Sequence, residues 1–179
     1  MKQVTVHDKT FELYISYEKL CTVVEEMANK MNEDLAGENP LFLCILNGSF
    51  MFAAELFKKI KLIETEISFV KLASYSGDQT TGNVKQLIGL NENIEGRTVV
   101  VLEDIVDTGI TIENIHNQLD KLNPKEVRIA TLLLKPDALQ KDVRLDYVGM
   151  DIPNDFIIGY GLDYDGYGRN LIDIYTLIK

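Results

Sequence analysis

TVVVLEDIVDTGIT, residues 98–111, sets an apolar, β-branched run directly against two acids and then a turn of small and hydroxylated residues. Val99 to Leu102 read as a strand buried on both faces, the continuous apolar kind found in parallel sheets. Glu103 and Asp104 follow at its carboxyl end, the edge at which open α/β sheets bind ligands. From Asp107 through Thr108, Gly109 and Ile110 to Thr111 the chain turns tightly, with Gly109 permitting the turn. Backbone N–H groups and two hydroxyls thereby converge on one point, a cradle for phosphate. Ile112, Ile115, Leu119 and Leu122 recur at helical spacing behind it, so the turn opens a helix whose N-terminal N–H groups and dipole favour an anion. Taken singly, these features also describe a core strand surfacing in acids and a threonine capping a helix. Their order and contiguity favour the phosphate site.

Outward from this stretch, the same plan recurs. Val4 to Ile15 suggests one or two short strands. Ser16 then stands as an N-cap with Glu18 in the first turn, and Leu20, Val23, Val24, Met27 and Met31 form one apolar face, ended by Gly37 and Pro40. Leu41 to Leu46 is a second buried strand, which Asn47, Gly48 and Ser49 turn into a helix with Phe50, Ala53, Ala54, Phe57 and Ile60 inward. Glu66 to Ala73 is a further strand. The polar residues 74–83, with two glycines and no periodicity, read as a mobile loop. Asn123 and Pro124 stop the helix behind the cradle, and Val127 to Leu134 forms another strand that ends at Lys135. Strands alternating with helices predict an α/β fold with a mainly parallel central sheet flanked by helices.

Composition narrows the class. With 179 residues, 46% hydrophobic and 26% charged, the chain is sized for a single soluble domain. Its net charge of −10 and the lack of a Lys/Arg cluster argue against a nucleic-acid surface. Lys58, Lys59 and Lys61 read as a solvated helix end. Cys21 and Cys44 sit in apolar patterns without metal-ligand spacing, so packed thiols in a reducing compartment are expected. No apolar run reaches membrane-spanning length and the first ten residues are polar, so a cytoplasmic protein is expected. His7 and His116 have neither metal nor triad spacing. Gly159 and Gly161, like Gly166 and Gly168, lack the third glycine of a dinucleotide fingerprint, and no Gly-Lys-Ser/Thr of a nucleotide-binding P-loop occurs.

Residues 98–111 closely resemble the phosphoribosyl pyrophosphate signature of the type I phosphoribosyltransferases: apolar residues, Glu-Asp, two more residues, then Asp-Thr-Gly-x-Thr. The likeness extends over nearly the whole chain. It is strongest there, at 135–136 and at 153–169, where the sequence is similar to the base-binding hood of hypoxanthine-guanine phosphoribosyltransferases. The resemblance implies one phosphoribosyltransferase domain over residues 1–179, with a small hood subdomain made by about 136–179 and amino-terminal residues.

It also implies roles. Glu103 and Asp104 would hold the ribose hydroxyls, directly or through Mg2+, and Asp107, Thr108, Gly109, Ile110 and Thr111 the 5'-phosphate. Leu46, Asn47 and Gly48, which by themselves read only as a tight turn, would bind pyrophosphate through their backbone, with Arg169 assisting. Asn47 replaces a lysine of many relatives, and Ile110 a Lys or Asn. Lys135 would donate to the exocyclic oxygen of a 6-oxopurine. Phe156 would stack on the base and Ile157 would contact its edge, with Asp163 on the same side holding a second Mg2+. Ser74 and Tyr75 would close a lid, and Asp107 would accept the base proton.

The expected substrates are then a purine base, hypoxanthine with guanine as a second, and phosphoribosyl pyrophosphate. IMP or GMP and pyrophosphate would be the products of this purine salvage reaction, and a homodimer or homotetramer the assembly. A xanthine or other purine phosphoribosyltransferase is the rival enzyme, because selectivity at C2 of the base is not legible. An RNA-binding regulator on the same fold is the rival from another class.

Overall fold

The computed structural model describes residues 2–74 and 85–178. In chain order the elements are β1 (Gln3–Val6), β2 (Lys9–Ile15), α1 (Tyr17–Asp34), β3 (Leu41–Leu46), α2 (Phe50–Phe57), β4 (Glu66–Ser74), β5 (Lys85–Ile88), β6 (Thr98–Val106), α3 (Ile110–Leu119), β7 (Glu126–Leu134), β8 (Tyr147–Asp151), β9 (Ile157–Ile158) and β10 (Ile174–Leu177). They form a six-stranded sheet of order β5-β4-β3-β6-β7-β8, parallel except for β5, and a four-stranded sheet of order β1-β2-β10-β9. The architecture is the α/β fold expected, and no helix among the described residues is long and apolar enough to cross a membrane.

Strand alternation distributes one apolar run to two cores. Phe42, Cys44, Val100 and Leu102 pack with Leu20, Val24, Met27 and Met31 of α1 and Phe52, Ala53 and Leu56 of α2. Leu41, Leu43, Val99 and Val101 face the other way, against Ile112, Ile115 and Leu119 of α3. Helices therefore cover both faces, which is why β3 and β6 read as unbroken hydrophobic runs. Ser16 caps α1, its hydroxyl accepting from Lys19 N–H at 3.4 Å.

Three local expectations shift. In α2 the buried residues are Phe52, Ala53 and Leu56, whereas Phe50 and Ala54 are exposed and Phe57 and Ile60 only half-buried. The helix is apolar nearly all round, so spacing could not select its inner face. α3 ends at Leu119, and Asp120–Leu122 tightens into a 3-10 turn that leaves Leu122 exposed. β6 does not stop at Leu102 but runs on through both acids to Val106.

The smaller sheet has its own core of Phe11, Ile158 and Tyr175. Just before β10, the Asp173 carboxylate accepts from Tyr17 N–H at the start of α1 (2.9 Å) and pairs with Lys2 Nζ (2.6 Å), while Ile15, Ile157 and Ile174 of the smaller sheet pack into the core with α1.

Candidate active site

β3 lies centrally, and the chain leaves it towards β4 on one side but returns to β6 on the other. Their following helices cover opposite faces. The crevice at the carboxyl ends of β3 and β6 is therefore a topological switch point, where open α/β sheets bind ligands. Leu46 closes β3, and the Leu46–Asn47 peptide is cis. Gly48 and buried Ser49 follow, the Ser49 hydroxyl donating to the carbonyl of Ile45.

On the β6 side, Gly109 adopts φ 80°, a conformation open to glycine, and opens α3. Ile110 N–H donates to Thr108 Oγ1 at 3.4 Å. Thr108 O accepts from the N–H groups of Gln140 (3.0 Å) and Lys141 (3.2 Å), so residues 140 and 141 brace the turn. The first N–H groups of α3 have no partner of their own within the helix, and with the dipole they suit a phosphate. Ile110 is about half exposed at this position.

Glu103 and Asp104 lie inside the β6–β7 ladder, Glu103 opposite Thr131. Burial pushes the Glu103 carboxyl well above the ordinary carboxylate range, and the charge of Asp104 adds to that. Burial likewise lifts Asp104 to about 6, against the N–H of Ile105, which it accepts at 2.9 Å. Asp104 rests directly on Gly48: a Cβ there would overlap its Oδ2. Gly161, at φ 100°, closes on the same turn, where a Cβ would overlap Gly48 O. Arg169 Nη1 donates to Gly161 O at 2.8 Å, and its Nη2 pairs with Asp163 Oδ1 at 2.7 Å. Asp163 Oδ2 in turn accepts from Gly166 N–H at 2.7 Å. Gly48, Asp104, Arg169 and Asp163 are thus brought together.

Such a donor set suits a hard divalent cation, which takes oxygen ligands and relieves the Asp104 carboxylate held out of water. Among the described residues no three His, Cys, Asp or Glu side chains gather into a cage. Any such ion would be shared between a carboxylate or two and the oxygens of a ligand, the usual habit of magnesium.

A second grouping sits one strand over. Lys135 is only 8% exposed, its N–H donates to Val106 O at 2.9 Å, and its Nζ stands 3.7 Å from Asp107 Oδ2. A buried ammonium beside a half-exposed carboxylate at the binding edge can donate to an oxygen while the carboxylate accepts a proton. Ile157 buries its side chain in the core beneath α1, leaving only its backbone for a ligand. Phe156 remains 43% exposed on the smaller sheet. Ser74 ends β4, and Tyr75 lies outside the described residues.

Sequence reasoning missed Gly161. It read Gly159 and Gly161 only against a nucleotide fingerprint, whereas both take positive φ, 99° and 100°, and Gly161 lets the backbone approach Gly48. A glycine pair directly after the apolar Ile157 and Ile158 was the available signal.

A family model described as phosphoribosyl transferase domain matches residues 16–165. The chain is 41% identical over 161 residues to the hypoxanthine-guanine phosphoribosyltransferase of Streptococcus thermophilus, covering 89% of each. With that of Mycobacterium bovis it is 39% identical over 162 residues, 89% of this chain and 80% of the other. Its structure is similar to a crystal structure of a hypoxanthine-guanine phosphoribosyltransferase from Bacillus anthracis, with a TM-score of 0.84 and 35% identity, covering 93% of this chain and 97% of that one.

Proposed function

The chain belongs to the phosphoribosyl transferase family, and we infer that it serves purine salvage by moving the phosphoribosyl group of phosphoribosyl pyrophosphate to hypoxanthine and guanine. The products are IMP or GMP and pyrophosphate. The observation that carries this reading is the pairing of buried Lys135 with Asp107, 3.7 Å apart, beside a phosphate-type turn at the switch point.

The sugar phosphate lies in the turn from Asp107 to Thr111, held by backbone N–H groups, by the Thr108 and Thr111 hydroxyls and by the α3 dipole. Its ribose hydroxyls face Glu103 and Asp104. The backbone of Leu46, Asn47 and Gly48 takes the pyrophosphate, and Arg169 exchanges its pairing with Asp163 for the leaving group. Lys135 donates to the 6-oxo group of the base, Phe156 stacks on it, and the Ile157 backbone meets its edge. Fixing both reactants this way removes much of the entropic cost of a bimolecular displacement. The N9–C1 bond then forms as the C1–O bond to pyrophosphate breaks, and Asp107 accepts the N9 proton. Bound Mg2+, held by Glu103 and Asp104 with a second ion at Asp163, would neutralise charge on the leaving group.

In this reading residues 1–179 form one domain, the smaller sheet and its loops being the hood and Ser74 with Tyr75 part of a lid. The protein acts on small molecules in the cytoplasm as a homodimer or homotetramer. Exposed Phe50 and Phe69 offer apolar surface for such an assembly.

Replacing Asp107 with Asn tests the mechanism. Turnover should fall by about two to four powers of ten, the range of general-base catalysis, while binding of phosphoribosyl pyrophosphate weakens much less. Unchanged turnover by steady-state assay would remove Asp107 from the role.

A further inference from the structure

The turn between β1 and β2 lies against the loop that carries Asp163. Tyr164 donates its hydroxyl to Asp8 Oδ1 at 2.8 Å. The His7 ring meets Tyr164 and Tyr167 edge-on, with centroids 5.7 and 4.5 Å away. Lys9 places its ammonium 4.3 Å from the centroid of the Tyr164 ring and 5.5 Å from that of Phe156. Phe156 stands at 85° to Tyr164, 5.8 Å away, and Phe11 packs on it at 6.1 Å. The Phe156 ring is thus held by two aromatic neighbours and one cation, yet 43% of the residue stays exposed for a flat ligand.

We propose that Lys9 is a positioning residue for the purine: its ammonium, set over the rings of Tyr164 and Phe156, fixes the aromatic surface on which the base stacks. The proposal rests on the reading of Phe156 given above. A cation near an aromatic face is attracted by the ring quadrupole, more strongly where water is partly excluded. Lys9 and Tyr164 are both partly buried. Holding Phe156 in place before the base arrives lowers the ordering cost of binding it. Neither the phosphate turn nor Asp107 is touched, so the effect falls chiefly on the affinity for the base.

Steady-state kinetics on the full chain, varying hypoxanthine and phosphoribosyl pyrophosphate separately, tests this with Lys9→Met, Lys9→Arg and Phe156→Leu. Lys9→Met keeps an unbranched stem and removes the charge. It should raise KM for hypoxanthine about three- to tenfold, the scale of a partly desolvated cation–π contact. KM for phosphoribosyl pyrophosphate and kcat should stay within about twofold, and Lys9→Arg, which keeps the cation, should restore the base KM. If Lys9→Met leaves the base KM unchanged while Phe156→Leu raises it, the role of Lys9 is overturned and the stacking reading stands. If both substrate KM values rise together as the melting temperature falls, Lys9 is merely structural and the proposal fails. If Phe156→Leu itself leaves the base KM unchanged, the stacking reading falls and this proposal with it.

Discussion

The Asp104 carboxylate occupies the place where a Gly48 side chain would stand, and Gly161 packs against the Gly48 carbonyl. The site is therefore packed to the backbone at the point where β3 and β6 diverge. Gly48→Ala should displace Asp104 and weaken phosphoribosyl pyrophosphate binding at least tenfold, with an overpacking cost to stability of about 1–3 kcal/mol. Calorimetric titration in the presence of Mg2+, with a thermal melt beside it, reads both effects; wild-type affinity would show that the contact has no functional weight. The turn from Asp107 to Thr111 was legible in the sequence because it directly follows an apolar run, whereas Lys135 took its role from the resemblance, since a lysine just past a strand end reads by itself as a solvated charge. Gly161 against Gly48 was not, because contacts between residues distant in the chain leave no local pattern. The same holds for Lys9 over Phe156 and Tyr164.

Elements were read well where one pattern dominates. α1 has its N-cap and buried face as the spacing predicts, whereas the nearly all-apolar α2 hides its orientation. The anchor of the smaller sheet to the start of α1 was invisible, since Asp173 is 6% exposed in a stretch without periodicity. Lys2, then the N–H of Tyr17 and the Tyr175 hydroxyl, hold its carboxyl below the ordinary carboxylate range against the opposing effect of burial. A depressed folded-state value means that the stabilisation is present above the unfolded pKa, about 4, and is lost as pH falls through the folded value. Asp173→Asn should therefore cost about 1.5–3 kcal/mol at pH near 7, the scale of hydrogen bonds to a charged group. The gap to wild type should narrow below about pH 4. Urea denaturation at both pH values checks this, and an equal gap in acid would contradict it.

Over the whole molecule, a net charge of −10 coexists with a site for anionic ligands. The charge is local in its consequences: Arg169 and Lys135 face the crevice, the α3 N-terminus adds its dipole, and the buried acids suit a divalent cation that brings phosphates with it. The sheet order explains why residues at the ends of β3, β6 and β7 meet there, and the loop after β9 reaches them through Gly161 against Gly48. That order was only partly legible, because alternating strands and helices announce a parallel sheet without saying which strand lies in the middle.

The most direct measurement supplies the protein with phosphoribosyl pyrophosphate and Mg2+, offers hypoxanthine, guanine, xanthine and adenine separately, and quantifies nucleotide and pyrophosphate. Hypoxanthine and guanine should give equimolar nucleotide and pyrophosphate, and adenine none, because its 6-amino group gives Lys135 no oxygen to bind. Folded protein that binds phosphoribosyl pyrophosphate but turns over no base would contradict the proposed function.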